Sequence, residues 1–211
     1  MVIRGNFKAA LFDLDGVVFD TEKQYTRFWA SEARRYHPEV KDLEYLIKGQ
    51  TLYEILSRFF GDVSDKHHEI ISRLNDFERK MTFEFVNGFE DFVGSLRAMG
   101  LKIAIVTSSN NEKMAQIYRQ IPKFKPMVDI VLTADDFEES KPNPQCYLKA
   151  ASIFGVEPNR CLVFEDSFNG LKAGRAAGMT VIGLTTSNSA DSISSLSDYV
   201  IPDFSGLQIS L

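Results

Sequence analysis

The sequence predicts an α/β fold in which a doubly wound parallel sheet carries an inserted all-helical segment. Three observations support this prediction. Short apolar runs alternate with longer amphipathic stretches, glycine or proline marks the ends of several of those stretches, and one long segment shows helical spacing without a strand candidate. Continuous apolar runs are typical of strands covered on both faces, so helices should lie on both sides of the sheet.

The predicted core consists of strands and helices in a Rossmann-like alternation. The predicted strands are Ala9–Phe12, Ile103–Val106, Ile130–Leu132, Cys161–Phe164, Val181–Leu184 and Tyr199–Ile201. The predicted helices are Asn87–Met99, Glu112–Ile121, Pro144–Phe154 and Gly170–Ala177. Gly100, Gly155 and Gly178 follow three of these helices, as expected where a left-handed residue ends a helix.

The segment from Glu22 to about Phe85 interrupts this alternation. Its apolar residues recur at the three-residue and four-residue spacing of helices. Because the segment follows the first strand, it should stand over the carboxyl edge of the sheet as a helical cap. We therefore predict a core domain formed by residues 1–20 and 86–211 and a cap domain formed by residues 21–85.

Charge and composition exclude several classes of function. The 211 residues include 24 Lys and Arg against 29 Asp and Glu, a net charge of −5, without a basic run, which disfavours nucleic-acid binding. No apolar run approaches the ~20 residues of a membrane span. Cys146 and Cys161 fit a reduced pair better than a disulfide. We expect a soluble cytoplasmic protein; the sequence specifies no oligomeric state, and a monomer is compatible with it.

The first strand leads into Asp13, Leu14, Asp15 and Gly16. The two-residue spacing puts both carboxylates on one side of the strand end, where open α/β sheets bind ligands. A divalent cation relieves the repulsion between two carboxylates, and their hard oxygen ligands suit Mg²⁺. Taken alone, the motif is also compatible with two aspartates that cap a turn.

Two further segments carry groups suited to phosphate. Thr107–Asn111 supplies hydroxyls and amides before a helix, an arrangement that binds anions but is also typical of helix caps. Lys141 precedes Pro142 near the start of another helix and is placed to act as a point charge for phosphate.

Glu165 and Asp166 follow the fourth apolar run. Ser167 explains the start of the next helix as an N-cap, but it does not explain an acidic pair at a buried strand end. A second acidic contribution to the same cation site does explain it. Along one sheet edge the sequence thus collects a carboxylate nucleophile, a neighbouring acid or base, phosphate ligands and a metal site.

The order of these residues resembles a known family. The segment Asp13–Glu22, followed by Thr107, Lys141 and the pair Glu165–Asp166, is similar to the motifs of the haloacid dehalogenase-like hydrolase superfamily. The similarity is greatest to its phosphatase and β-phosphoglucomutase-like branch. It covers essentially the whole chain, including a helical cap after the first motif.

The resemblance implies a Mg²⁺-dependent phosphohydrolase that acts on a small phosphorylated metabolite. Asp13 would attack phosphorus and form an aspartyl-phosphate, and Asp15 would protonate the leaving oxygen and then deprotonate the attacking water. Mg²⁺ would be held by Asp13, the Asp15 backbone carbonyl and Asp166, with Glu165 binding directly or through water.

The resemblance also implies which residues surround the substrate. Thr107, the Ser108 amide and Lys141 would hold the nonreacting phosphate oxygens, so Thr107 and Lys141 join Asp13 and Asp15 in the catalytic set. The implied substrate-binding residues are Gly16, Lys48, Gly49, Gln50, Thr107, Ser108, Asn111 and Lys141.

Three alternatives compete with this interpretation. A haloacid dehalogenase requires neither a metal nor a second aspartate, so Asp15 and the pair Glu165–Asp166 argue against it. A signalling receiver domain has its acidic pair at the first strand and its lysine last, whereas Lys141 precedes Glu165 here.

A sugar-phosphate mutase is the third alternative. β-Phosphoglucomutases carry a cap histidine and a cap arginine at positions that match Tyr25 and Leu52. Leucine cannot pair with a second phosphate, which favours the phosphohydrolase. The mutase stays as the alternative because Lys48 or Arg58 is available as a substitute.

Overall fold

A computed structural model describes residues 1–47 and 52–211 of the chain. Within these residues, six parallel strands form the main sheet: β2 (Ala9–Phe12), β3 (Lys102–Val106), β4 (Ile130–Leu132), β5 (Cys161–Glu165), β6 (Thr180–Leu184) and β7 (Tyr199–Ile201). From one edge of the sheet to the other their order is β4-β3-β2-β5-β6-β7. All six predicted strands are confirmed, to within one residue at each end.

Helices cover both faces of this sheet. They are α5 (Phe89–Ala98), α6 (Asn111–Gln120), α7 (Gln145–Phe154), α8 (Phe168–Ala176) and α9 (Ala190–Ile193). Side chains of α5 and α6 pack with one set of strand residues, which includes Phe12 and Phe164. Side chains of α7, α8 and α9 pack with the alternate set, which includes Leu11 and Val163. The predicted doubly wound α/β architecture is therefore confirmed.

The chain reverses its direction of winding at β2. This strand lies between β3 and β5, which come from opposite halves of the sheet. Phe12 of β2 stacks on Phe164 of β5 with ring centroids 4.5 Å apart. Ligands of open α/β sheets bind beyond the carboxyl ends of strands at such a reversal, so the fold itself indicates where a site should lie.

The helical insertion spans residues 22–78. It contains α1 (Glu22–Tyr36), α2 (Leu43–Leu46), α3 (Leu52–Phe59), a 3₁₀ segment (Gly61–Lys66) and α4 (His67–Glu78). Its apolar residues form a cluster of their own around Phe28, Trp29 and Phe60. A buried carboxylate, Glu32, accepts two hydrogen bonds from Arg73 at 2.9 and 2.8 Å, which ties α1 to α4.

Two short backbone segments connect the insertion to the sheet. The Asp20 amide donates to the Glu84 carbonyl at 2.9 Å, and the Val86 amide donates to the Val18 carbonyl at 2.9 Å. The outgoing and returning chains therefore run side by side. The Thr21 hydroxyl, directly before α1, donates to Asp15 at 2.7 Å, so the start of α1 lies beside the segment that follows β2.

A small parallel pair of strands lies outside the main sheet and has no counterpart among the predicted elements. β1 (Val2–Arg4) pairs with β8 (Gln208–Ser210). It joins the first residues of the chain to the last. In the part of the chain that the structure describes, no helix is long and apolar enough to cross a membrane.

Candidate active site

The site lies beyond the carboxyl ends of three neighbouring strands. β2 leads into Asp13 and Asp15, β3 into Thr107, and β5 ends at Glu165. A cavity of about 560 Å³ opens between this edge and the helical insertion. The sheet edge contributes both aspartates, Thr107, Ser108, Lys141 and Asp166 to its lining.

Lys141 connects two of the acidic side chains. Its buried ammonium donates to Asp13 Oδ1 at 2.6 Å, to Glu165 Oε1 at 2.7 Å and to the Val106 carbonyl at 2.9 Å. Burial disfavours the charged lysine, but Asp13 and Glu165 outweigh this effect and hold the pKa of Lys141 well above its ordinary value. Lys141 is therefore a fixed positive charge beside Asp13.

Glu165 is enclosed by donors. Its Oε1 accepts from the Tyr147 hydroxyl at 2.9 Å as well as from Lys141. Its Oε2 accepts from the Asp166 amide at 3.1 Å and from the amide and hydroxyl of Ser167 at 3.2 and 3.1 Å. A Cβ on Gly170 would lie 1.8 Å from Glu165 Oε1, so a residue without a side chain is needed beside this carboxylate.

Asp13, Glu165 and Asp166 form a candidate metal site. One oxygen from each lies within 4.8 Å of the others. Burial raises the pKa of Asp13 to about 7, with Glu165 adding to the rise and Lys141 opposing it. Burial also raises the pKa of Asp166 well above its ordinary value, and neighbouring carboxylates, Glu22 first among them, add to this. The single positive charge of Lys141 does not balance the negative charges of these three acids. A divalent cation would make up the deficit, and carboxylate oxygens are the hard ligands that such a cation prefers.

Gly16 lies against this group of acids. It has a φ of +74°, in the left-handed region that favours glycine, and a Cβ there would lie 2.0 Å from Asp166 Oδ2. The Asp166 carboxylate also accepts hydrogen bonds from the hydroxyls of Thr186 and Ser187. Gly16 thus makes room for Asp166 and is not part of the cavity lining.

Asp15 has different surroundings from Asp13. Its Oδ1 accepts from the Thr21 hydroxyl at 2.7 Å, and its Oδ2 accepts from the Ser109 hydroxyl at 3.0 Å. Lys113 donates to both oxygens, at 2.7 and 2.6 Å. Burial alone would raise the pKa of Asp15, but Lys113 and the two hydroxyls outweigh burial and lower it.

Some side chains of the segment that follows β3 line the cavity, and others stabilise the surrounding backbone. Thr107 is buried, and its Oγ1 accepts from the Ser109 amide at 3.0 Å. Asn110 caps α6, where its side chain accepts from the Lys113 amide at 3.0 Å. Asn111 donates to Asp135 at 2.6 Å and does not line the cavity. The structure therefore does not bring Asn111 to the site with Thr107 and Ser108.

The insertion covers the cavity with apolar and acidic side chains. The apolar and aromatic lining from this side comes from Tyr25, Trp29, Ile47, Leu52, Tyr53, Ile55 and Leu74. The acidic lining comes from Glu22, Glu44 and Glu78. Of the expected cap residues, Lys48, Gly49 and Gln50 lie outside the described residues, and their neighbours Ile47 and Leu52 line the cavity.

Sequence reasoning missed the residues that surround Asp15. The Asp15 carboxylate accepts hydrogen bonds from Thr21, Ser109 and Lys113. Only the folded structure shows that these side chains meet. One sequence feature does single out Lys113. It lies in the first turn of a helix, where the partial positive charge of the helix N-terminus disfavours a cation and makes an acidic partner favourable.

Comparisons with known proteins agree with this geometry. A family model for haloacid dehalogenase-like hydrolases matches residues 7–178. The chain is 35% identical to the candidate phosphatase YhcW of Bacillus subtilis over 184 residues, which are 83% of this chain and 82% of that protein. It is 30% identical to hexitol phosphatase A of Escherichia coli over 180 residues, which are 84% and 82% of the two chains.

The fold also matches a solved structure. The crystal structure of β-phosphoglucomutase from Clostridium difficile superimposes with a TM-score of 0.75 at 21% identity, covering 94% of this chain and 92% of that one. At this identity the match concerns the fold alone. The family model covers most of the chain, and the acidic sheet edge beneath a helical insertion agrees with it. The protein therefore belongs to the haloacid dehalogenase-like hydrolases, in their phosphatase and β-phosphoglucomutase branch.

Proposed function

We propose that this protein is a Mg²⁺-dependent phosphatase that hydrolyses a small phosphorylated metabolite through an aspartyl-phosphate on Asp13. The observation that carries the proposal is the position of Asp13. It lies at the carboxyl end of the central strand, faces the cavity, and has Lys141 Nζ 2.6 Å from one oxygen. In the described residues its other oxygen accepts no hydrogen bond, which leaves that oxygen for phosphorus or a metal ion.

In the first half-reaction a carboxylate oxygen of Asp13 attacks phosphorus. The phosphorus–oxygen bond to the leaving group breaks, and the leaving oxygen takes a proton from Asp15, which has to be protonated when substrate is bound although Lys113 favours its ionised form in the substrate-free structure. In the second half-reaction a water attacks the same phosphorus, Asp15 takes a proton from that water, and phosphate leaves Asp13. The proton returns to Asp15, so the cycle closes without another reactant.

The remaining groups balance the charge on the phosphoryl group. Lys141 puts a positive charge next to Asp13, and Thr107 and the Ser108 amide, whose residues line the cavity, would hold a nonreacting oxygen. Phosphoryl transfer depends mainly on such positioning and charge stabilisation. Rigid support matters for this reason, and Lys141 is buried with three acceptors fixed around it.

The proposed Mg²⁺ would be held by Asp13, Asp166 and the backbone carbonyl of Asp15. When bound, it would offset the negative charge of the phosphoryl group and of its ligands. Glu165 lies close enough to contribute, but protein donors already occupy both of its oxygens. We therefore place Glu165 behind the ligands, where it fixes Lys141 and reaches the ion through water.

The cavity lining supports an uncharged leaving group. Among the lining residues that the structure describes, the cations are Lys113 and Lys141, and both are already paired with carboxylates. The insertion contributes apolar surface and three glutamates. A sugar or polyol fits this lining, whereas a second phosphate would face Leu52 and acidic side chains. Hexitol phosphatase A, a relative by sequence, is named for a substrate of this class.

The proposal is tested by a phosphate-release screen with purified protein over sugar phosphates, polyol phosphates, nucleotides, phosphoglycolate and pyrophosphate, with and without Mg²⁺. We expect sugar or polyol phosphates to be turned over fastest, and only with Mg²⁺. Absence of phosphate release from every monoester would contradict the proposal.

Mutase activity is the second candidate because the chain shares its fold with a β-phosphoglucomutase. We expect β-glucose 1-phosphate to yield glucose and phosphate and not glucose 6-phosphate. A charged contact to phosphate contributes on the order of 1.5–3 kcal/mol, so an apolar Leu52 should cost at least about tenfold in retention of a bisphosphate intermediate. A coupled assay for glucose 6-phosphate beside a phosphate assay on the same sample measures both products.

A Leu52→Arg variant sharpens this assay, because a guanidinium at that position should raise the fraction of glucose 6-phosphate. Isomerisation by the wild type that outruns phosphate release would instead establish a mutase.

A further inference from the structure

Lys113 has no role in the reaction described above, although it is buried at the boundary between the core and the insertion. It lies in the first turn of α6, where a cation is disfavoured, and burial of an ammonium adds a further cost. Its side chain makes hydrogen bonds to Asp15 and Tyr25, and both of these residues line the cavity.

The contact with Asp15 fixes the orientation of a carboxylate. Thr21 holds one oxygen and Ser109 holds the other, while Lys113 donates to both at 2.7 and 2.6 Å. Among the donors in the described residues, Lys113 is the one that bridges the two oxygens. A donor that bridges both oxygens restricts rotation of the carboxylate about its Cβ–Cγ bond more than a single contact to each oxygen does.

Lys113 is itself held by the insertion. The Tyr25 hydroxyl on α1 accepts from Lys113 at 2.7 Å and donates to Glu78 at the end of α4 at 2.8 Å. The ammonium also lies 5.0 Å from the centre of the Tyr25 ring. The chain of contacts therefore runs from Asp15 through Lys113 to two helices of the insertion.

We propose that Lys113 is a positioning residue that orients Asp15 for proton transfer, with Tyr25 holding Lys113 in place. The proposal rests on the proposed function, because it assumes that Asp15 exchanges a proton with the leaving oxygen and then with water. Proton transfer needs donor and acceptor within hydrogen-bond reach, and small displacements of a catalytic group cause large losses of rate. A freely rotating Asp15 carboxyl would reach that alignment less often.

The proposal predicts a selective defect. The leaving oxygen of phenyl phosphate needs a proton more than that of 4-nitrophenyl phosphate, because nitrophenolate is a much weaker base. The two esters otherwise have the same shape. Loss of the orienting contact in a Lys113 variant should therefore lower kcat/KM for phenyl phosphate more than for 4-nitrophenyl phosphate, even though loss of the ammonium also makes the protonated form of Asp15 easier to reach. Because this ratio is measured on one sample, it does not depend on the fraction of protein that is folded.

The test is the ratio of kcat/KM for the two esters with the Mg²⁺-loaded enzyme. We expect Lys113→Met to lower the ratio of phenyl to nitrophenyl ester about tenfold. Tyr25→Phe removes one neutral hydrogen bond to Lys113 and should lower it about threefold. Arg119→Met removes a positive charge from the exposed side of the same helix and is the matched control, with an unchanged ratio.

A double substitution tests whether Lys113 acts through Asp15. Asp15→Asn alone should lower the ratio more than Lys113→Met, and Lys113→Met in that background should lower it no further. An equal loss on both esters, or a change confined to KM, would show a structural or substrate-binding lysine and overturn the inference. If the wild type releases phosphate from no monoester, the proposed function fails first; if it hydrolyses both aryl esters and the ratio is unchanged or raised in Lys113→Met, the inference alone fails.

Discussion

Asp13 and Asp15 lie two residues apart at the end of one strand, and each is paired with a buried lysine, yet their surroundings have opposite effects. The pKa of Asp13 is raised to about 7, whereas the pKa of Asp15 is lowered. Burial favours the neutral acid at both. The difference comes from the number of acids that each lysine must balance.

Lys141 is shared between Asp13 and Glu165, with Asp166 close by, so its single charge leaves a deficit. Lys113 has Asp15 as its close ionic partner, and two hydroxyls add to its effect. One end of the site therefore has a charge deficit that a divalent cation would fill, while the other is balanced by protein groups alone. This difference in charge balance suits a reaction in which Asp13 bonds to phosphorus and Asp15 exchanges a proton.

The largest expected effect follows from removing the nucleophile. Asp13→Asn should lower phosphate release by at least about a thousandfold, because an amide cannot replace the carboxylate that attacks phosphorus. It should also abolish covalent phosphate in protein quenched with acid during turnover. The control is Asp20→Asn, an exposed aspartate whose side chain lies outside the cavity lining. Near-normal turnover by Asp13→Asn would show that another group is the nucleophile.

Metal removal should have the next largest effect. EDTA should reduce turnover at least about a hundredfold, and Mg²⁺ should restore it, because the acids around Asp13 exceed the charge of Lys141. Ca²⁺ should inhibit, since its larger and looser coordination sphere would misplace the nucleophile. The measurement is phosphate release after chelation and after each cation is added back. Full activity in EDTA would contradict the metal site.

The smallest effect concerns stability and pH. Asp13 titrates near 7 in the folded protein and near its ordinary 3.8 when unfolded, so without metal its contribution to stability is fully present below 3.8 and lost as pH rises through 7. Mg²⁺ needs the ionised form, and its apparent affinity should rise roughly tenfold from pH 6 to pH 8. The increase in Tm caused by Mg²⁺ should then be larger at pH 8 by roughly 3–5 °C.

Thermal unfolding at the two pH values measures this difference. In Asp13→Asn the Mg²⁺ effect should depend less on pH than in the wild type, and the dependence that remains would come from Asp166, whose pKa is also raised. An equal or smaller Mg²⁺ effect at pH 8 in the wild type would contradict the raised pKa.

Local pattern was sufficient to predict the strands of the main sheet and the acidic residues at their ends. A buried parallel strand needs a continuous apolar run, and polar residues that follow such a run lie at the sheet edge whatever the details of packing. Ala9–Phe12 followed by Asp13, and Cys161–Glu165 followed by Asp166, are of this kind. The helical insertion was predictable for the same reason, because its apolar residues keep helical spacing over a long segment.

Two features escaped prediction because they depend on distant pairing. Val2–Arg4 and Gln208–Ser210 are too short to show a pattern and form strands only because the chain ends meet. Asn111 was expected to bind substrate, but its side chain donates to Asp135 and lies outside the cavity lining, and no sequence pattern indicates this pairing.

The sequence by itself determined the order of strands and helices and the identity of the acids at the sheet edge, because both follow from periodicity within a few residues. The tertiary structure decided which charges meet. Whether a lysine serves one carboxylate or two depends on where helices from distant parts of the chain approach the strand ends. That is why Asp13 and Asp15, so alike in the sequence, differ in charge balance once Lys141 and Lys113 are in place.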